Sequence, residues 1–189
     1  CEVLKKKIDN KTVIKNSDIN SKDIKKNDIF FGLKGKKLNG GIFADSSLKN
    51  QASIAIVNKI YGKKSKKKIK VNNVQKILTN YSKAVRDSSQ SKIIAITGSC
   101  GKTTVKELLT HTLKKFSKVS NSKKSFNNYI GVPLSLSSIE KNTDFGIFEI
   151  GMSKKKEIYN LSKIVTPDVA VITNISYAHA ENFKNINEI

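Results

Sequence analysis

The stretch KIIAITGSCGKTTVKELLTHTLKKF, residues 92–116, constrains this chain more than any other. Its opening KIIAIT (Lys92–Thr97) is an apolar run of the kind found in strands buried on both faces. A glycine loop follows. Val105, Leu108, Leu109, Thr112, Leu113 and Phe116 then recur at helical spacing. A buried strand that feeds a helix through a tight loop opens a parallel α/β unit. The loop also has a chemical character of its own. The first amides of a helix lack intrahelical acceptors, and its dipole is positive there, so the turn is an anion site. Gly98 and Gly101 let the backbone approach phosphate oxygens, Lys102 can reach terminal phosphates, and the Thr103 hydroxyl can bind Mg²⁺. The bland alternative is a strand–helix turn with an incidental lysine. The complete GKTT in strand–loop–helix context argues against it. One departure stands out: the common phosphate loop has an earlier glycine where this chain has Ile96.

The pattern continues on both sides. NDIFFGLKG (Asn27–Gly35) and SIAIV (Ser53–Val57) read as strands, FADSSLKNQA between them as a helix, and KIKV as a short strand. NNVQKILTNYSKAV places Val74, Ile77, Leu78, Tyr81 and Val85 on one helical stripe. The polar, turn-rich RDSSQSK (Arg86–Lys92) marks a domain boundary, giving a first domain over 1–88 and a second over 89–189. In the second, FNNYIGVPLSLSSIE starts a helix near Pro133. FGIFEIG is a buried strand, KKEIYNLSKIV a helix that stops near Pro167, and DVAVITNI another buried strand. The fold class expected is α/β: a small N-terminal α/β domain, then part of a parallel-sheet ATPase domain of the phosphate-loop type.

Ligands of a parallel sheet gather at the carboxyl ends of its strands. Thr103 follows one strand, Glu149 ends another, and His179 lies just past a third. A hydroxyl, a carboxylate and an imidazole therefore converge on one edge, and hard oxygen donors suit Mg²⁺. An acid that ends an apolar strand is costly unless used, which favours a role for Glu149. A lone histidine in a polar loop is often only surface, so His179 rests on the company it keeps. His111 lies off the apolar stripe of its helix and reads as solvated. Cys100 reads as a tolerated loop residue.

Composition excludes some classes. Two cysteines, at positions 1 and 100, make neither a disulfide framework nor a zinc site, and a reducing cytoplasm fits. No apolar run approaches a membrane span and no signal peptide opens the chain. The net charge of +21 raises the question of a nucleic-acid partner. Yet Arg86 is the only arginine among 36 basic residues, and nucleic-acid sites favour arginine. The lysines are spread widely, with one dense run at GKKSKKKIK (Gly62–Lys70), so a lysine-rich proteome is the better reading. A basic nucleic-acid-binding ATPase remains the rival of a different class, and a UDP-sugar-binding module without catalysis is a third possibility. The first residue is Cys, and no natural stop closes NFKNINEI, which suggests a piece of a longer protein.

TGSCGKTT resembles the shortened phosphate loop of the Mur ligase family, which keeps G-x-x-G-K-T/S and lacks the earlier glycine. Ile96 then simply belongs to the strand. SFNNYIGVPLSL (Ser125–Leu136), EIGM (Glu149–Met152) with Glu157 and Ile158, and PDVAVITNISYAHAENF (Pro167–Phe183) resemble the family's D-alanyl-D-alanine-adding branch in order and spacing. The N-terminal INSKDIKKNDIFFGLKGKKLNGGIFA resembles its uridine-nucleotide-binding domain. Sister ligases, which add a diamino acid to the same precursor or glutamate to folate, fit the Asn-Asn-x-Ile-Gly-Val-Pro stretch less well.

The resemblance implies an ATP- and Mg²⁺-dependent amide ligase that joins D-alanyl-D-alanine to UDP-N-acetylmuramoyl-tripeptide through an acyl phosphate. It would be a cytoplasmic monomer with no nucleic-acid or membrane partner. ATP would lie on Gly98, Ser99, Cys100, Gly101, Lys102, Thr103 and Thr104. Thr103, Glu149 and His179 would hold metal. Lys102 would act on the γ-phosphate, with Asn127 or Asn128 touching phosphate or carboxylate. Ser21, Lys22, Lys34, Gly35, Asn39 and Gly40 would line the UDP site. Two departures bear on substrate contacts. The family's Asp-Ser-Arg is Asn20-Ser21-Lys22 here, and its Asn-His-Pro-Gly is Ser153–Lys156. The family's carbamylated, metal-bridging lysine would fall beyond Ile189, since Lys184 lies too close to His179. A third domain would follow.

Overall fold

A computed structural model describes residues 8, 12–123, 125–177, 182–183 and 185. They form two compact units, 1–81 and 82–189. The dividing line falls inside one helix, Val74–Ser88. The expected 88/89 boundary lies at the end of that helix.

The first unit holds a four-stranded parallel sheet in sequential order: β1 (Ser17–Asp18), β2 (Ile29–Gly32), β3 (Ile54–Val57) and β4 (Lys68–Lys70). Every residue of β2 and β3 is buried, because both strands are flanked on each side and covered on each face. Side-chain alternation sends Phe30, Ala55 and Val57 into one cluster with Ile24, Ala44 and Ala52. Ile29, Phe31, Ile54 and Ile56 point the other way and are equally buried. A 3-10 turn (Gly40–Phe43) leads into helix α1 (Ala44–Lys49). Helix α2 (Val74–Ser88) buries Val74, Ile77 and Leu78, and Tyr81 lies with its ring centroid 6.0 Å from that of Phe31. The short β1 has no apolar run and was not legible in the sequence. Lys68, expected only as part of a strand, is buried. Its ammonium donates to the carbonyls of Tyr61 and Lys63 and pairs with Asp45 at 2.7 Å.

The second unit carries another parallel sheet, in the order β6-β7-β5-β8: β5 (Lys92–Thr97), β6 (Val119–Asn121), β7 (Phe145–Glu149) and β8 (Val169–Ile172). Helices α3 (Lys102–Leu113), α4 (Gly131–Leu136) and α5 (Glu157–Val165) connect them. The core gathers Ile93, Ala95, Phe148 and Ile150 from the sheet, Val132 and Leu136 from α4, and Leu161, Ile164 and Val165 from α5. The C-terminal end of α2 belongs here. Arg86 donates to the carbonyls of Val165 and Thr166 and pairs with Asp168, and Val85 packs on the core.

Two expectations are corrected. DVAVITNI yields a strand over Val169–Ile172 only, and it is not buried: Val169 is 52% and Ile172 61% exposed. Among the described residues it pairs with β5 alone. The second correction concerns α3, which ends at Leu113 rather than Phe116. Its most buried residues are Lys106 and Thr110, not the apolar stripe. Leu108 is 63% and Phe116 80% exposed. Lys106 reaches the carbonyl of Ser122 at 3.1 Å and Glu107 at 2.9 Å, so its ammonium is solvated by the protein and its stem can lie on the sheet. β6 carries too few apolar residues to announce itself and was also not anticipated.

Candidate active site

All four strands of the second unit run parallel, so their carboxyl ends share one edge. Four segments leave that edge: the glycine loop after β5, 122–123 and 125–128 after β6, 150–153 after β7 and 173–177 after β8. The loop needs its glycines. Gly98 has φ 133° and Gly101 φ 78°, both left-handed. A Cβ on Gly98 would stand 2.1 Å from Thr173 Oγ1. Gly101 is the N-cap of α3, and Val105 N–H donates to its carbonyl, so the amides of the first turn open into the loop.

Side chains converge beside it. Glu149 is 1% exposed, yet both its oxygens are engaged. The Thr103 hydroxyl donates to Oε2 at 2.7 Å and the Asn127 amide donates to Oε1 at 2.8 Å. A buried carboxylate is tolerable only with such partners. The strand end supplies a further tether, since Glu149 N–H donates to Ser122 Oγ at 3.3 Å. Gly151 makes room for this arrangement, because a Cβ there would stand 2.8 Å from Asn127 Cγ. Lys102 curls into the loop and donates to the carbonyls of Gly98 at 2.6 Å and Ser99 at 3.2 Å.

The two adjacent asparagines separate cleanly. Asn127 faces Glu149. Asn128 turns its side-chain oxygen to the amides of Ile130 and Gly131 and so holds the turn that enters α4, whose N-cap position is Ile130. A cleft of about 370 Å³ opens over this edge, and Gly98, Ser99, Lys102, Asn127, Asn128 and Gly151 help line it. Ser125, Tyr129, Met152, Ser153 and Glu157 line it too, and sequence reasoning had assigned them no role. The Glu157 carboxylate accepts from the amides of Ser153 and Lys154, and so holds the turn that replaces Asn-His-Pro-Gly.

Cys100, Thr103, Thr104 and His111 are exposed, as suits a loop and the outer face of a helix. His179 and Lys184 lie outside the described residues.

In the first unit, the residues expected to hold UDP leave the carboxyl ends of β1 and β2, one common edge. Ser21 is buried, and its carbonyl accepts from Asn50. Lys22 is exposed. Lys34 bridges Asn39 in an antiparallel pairing around Gly35, and Asn39 caps the 3-10 turn through Gly41 N–H. Gly40 packs flat on the end of β2: a Cβ would stand 2.5 Å from the Leu33 carbonyl oxygen. Asn58, just past β3 on the same edge, buries its side-chain oxygen without a hydrogen-bond partner among the described residues. A side chain like this gives no signal in sequence.

With this geometry in place, comparison with known proteins is decisive. Residues 96–189, the segment that carries the glycine loop, Asn127 and Glu149, match the Mur ligase middle domain. The chain is 40% identical over 171 residues to the UDP-N-acetylmuramoyl-tripeptide–D-alanyl-D-alanine ligase of Rickettsia prowazekii, covering 90% of this chain and 38% of that protein. It belongs to the Mur ligase family. The crystal structure of MurF from Acinetobacter baumannii superposes with a TM-score of 0.79 at 31% identity, over 93% of this chain and 39% of that one. MurF from Thermotoga maritima, solved in complex with ADP, gives a TM-score of 0.79 at 29% identity, over 95% and 42%. The chain thus spans well under half the length of these Mur ligases. Among its described residues no helix is long and apolar enough to cross a membrane.

Proposed function

We propose that this chain contributes the ATP-handling edge and the UDP-precursor domain of a ligase that joins D-alanyl-D-alanine to UDP-N-acetylmuramoyl-tripeptide in peptidoglycan precursor synthesis. One observation carries the reading: the Thr103–Glu149–Asn127 cluster stands directly beside a glycine loop that opens into a cleft. The names of the relatives point to the same reaction, and the ADP complex of the Thermotoga protein supports nucleotide on this edge.

The reaction divides into two displacements. A carboxylate oxygen of the tripeptide attacks the γ-phosphorus of ATP. The bond to the ADP oxygen breaks, and an acyl phosphate forms. The amine of D-alanyl-D-alanine then attacks the acyl carbon, inorganic phosphate leaves, and the nitrogen loses a proton to give the amide. The chain's own residues position and neutralise. The first-turn amides of α3, and the Lys102 ammonium once it turns from the Gly98 and Ser99 carbonyls, would receive the phosphates and balance charge on the group in flight. Asn127, fixed by Glu149, keeps its carbonyl oxygen and remaining amide hydrogen for substrate. Asn128 acts at one remove, by anchoring the start of α4.

Mg²⁺ fits the donor set. A hydroxyl and a carboxylate oxygen lie 2.7 Å apart next to the phosphate loop, and magnesium characteristically takes one or two protein oxygens and completes its shell with phosphate and water. Thr103 and Glu149 would hold it, with His179 serving a second ion. It would supply charge neutralisation on the phosphate oxygens. The acting protein would be a monomer in the cytoplasm.

The test is Lys102→Ala in the full-length protein. Turnover should fall on the order of 10²-fold or more while the fold is retained. Near-normal, ATP-dependent formation of the pentapeptide product by this variant would refute the assignment.

A further inference from the structure

The segment after β8 holds the glycine loop from behind. Asn174 grips Cys100 twice: its Oδ1 accepts from the Cys100 amide at 3.0 Å and its Nδ2 donates to the Cys100 sulfur at 2.9 Å. Its backbone carbonyl accepts from Ser99 N–H at 3.0 Å. Thr173 donates its hydroxyl to the Cys100 carbonyl at 2.5 Å and also lies 3.3 Å from the Thr97 carbonyl. Ser176 closes the set, since its amide donates to Ser99 Oγ at 2.8 Å and its carbonyl accepts from that hydroxyl at 2.8 Å. Gly98 lies so close to this segment that a Cβ would collide with Thr173 Oγ1 and with the backbone of Asn174. These contacts bind a loop with two left-handed glycines to a strand end more than seventy positions away in sequence.

A glycine loop has more conformational freedom to lose than any other. Left to itself it would lose that freedom when phosphate arrives, at the expense of affinity. The contacts from Thr173 and Asn174 order it beforehand. They also divide the loop's amides. The N–H groups of Ser99 and Cys100 are spent on the latch, which leaves the first turn of α3 and Lys102 to receive the anion.

We propose that Asn174 and Thr173 are positioning residues for nucleotide: they preorganise the 98–101 loop, and their side chains set its affinity for the polyphosphate without touching it. This rests on the nucleotide site described under Proposed function. A purely structural role would lower stability and weaken both substrates alike. A positioning role weakens nucleotide alone.

The experiment uses the full-length protein. ADP with Mg²⁺ and, separately, UDP-N-acetylmuramoyl-tripeptide are titrated by calorimetry into the parent, Asn174→Ala, Thr173→Val and Thr173→Ser. Thr173→Val keeps the shape and removes the donor, whereas Thr173→Ser retains it. Asn174→Ala and Thr173→Val should weaken ADP about tenfold, with UDP-precursor affinity within twofold of the parent. Thr173→Ser should restore ADP binding to near the parent value. If Asn174→Ala fails to fold, the Thr173 pair decides the matter alone. Parent-like ADP affinity in Thr173→Val, equal losses for both ligands, or no recovery in Thr173→Ser overturns the latch. A parent that does not bind ADP at all overturns the nucleotide site itself, which is a different failure.

Discussion

Replacing Glu149 with glutamine and, separately, with alanine divides what this residue does for the fold from the metal role proposed for it. In the parent, two donors converge on a carboxylate that is 1% exposed: Thr103 Oγ1 at 2.7 Å and Asn127 Nδ2 at 2.8 Å. Glutamine conserves the volume. Its carbonyl can accept from Asn127, and its amide can donate to Thr103 once that hydroxyl rotates. Each hydrogen bond drops from the charge-assisted range, about 1.5–3 kcal/mol, to the neutral range of about 0.5–1.5 kcal/mol. Relief from burying a charge offsets that loss. Glu149→Gln should therefore stay within about 1 kcal/mol of the parent in urea unfolding of the full-length protein. Glu149→Ala removes both acceptors and leaves a void, and should lose about 2–4 kcal/mol. Function should not follow stability. With the negative charge gone, the strengthening of ADP binding by Mg²⁺ should vanish in both variants, and turnover should fall on the order of 10²-fold. A Glu149→Gln protein whose ADP affinity still rises with Mg²⁺ as in the parent would refute the carboxylate as a metal ligand. An alanine variant as stable as the glutamine variant would refute the hydrogen-bond account.

Other outcomes follow from the same geometry. Asn127→Ala should depress turnover far more than stability, whereas Asn128→Ala should lower stability by about 1 kcal/mol, the usual cost of a lost hydrogen bond, as read by urea unfolding. Gly151→Ala should mimic Asn127→Ala in kinetics, because its Cβ would stand 2.8 Å from Asn127 Cγ and push the amide off Glu149. A variant with parent-like turnover would mean that the loop yields at no expense to Asn127. Asp168 ties the second unit together near Arg86. The Ile93 amide that donates to its carboxylate, and then the Arg86 and Lys92 charges, hold its pKa below the ordinary 3.8. A carboxylate with a lowered folded pKa stabilises the fold above 3.8, and that contribution is lost as pH falls through the folded value. Asp168→Asn should therefore melt below the parent at neutral pH, with the gap closing under acid conditions. A gap that widens on acidification would contradict the sign.

Much of this protein could be read from one dimension because much of it is periodic. KIIAIT, FGIFE and SIAIV are apolar runs that only an interior parallel strand can hide. The glycine pair and the lysine after it mark an anion site by backbone chemistry alone. Glu149 was legible for a similar reason: a carboxylate at the end of an apolar strand has to be held by something. Periodicity fails where partners decide. The apolar stripe of α3 is real as a pattern, but the helix turns Lys106 and Thr110 inward, since the Ser122 carbonyl waits there for an ammonium. DVAVI reads as an interior strand, and among the described residues it pairs with β5 alone, a neighbour set by crossovers that no local window contains. Asn127 and Asn128 are chemically identical neighbours, and the sequence could not choose between them. In the fold their partners differ: the end of β7 lies within 2.8 Å of Asn127, and the first turn of α4 lies on Asn128. Asn174 was silent for the same reason. Its partner, Cys100, is distant along the chain and adjacent in space only because β5 and β8 pair side by side. Local composition marks which segments become strands and which loop carries the glycines. Which side chains meet is decided by strand order, because a hydrogen bond forms at about 3 Å of separation whatever the length of chain between its ends.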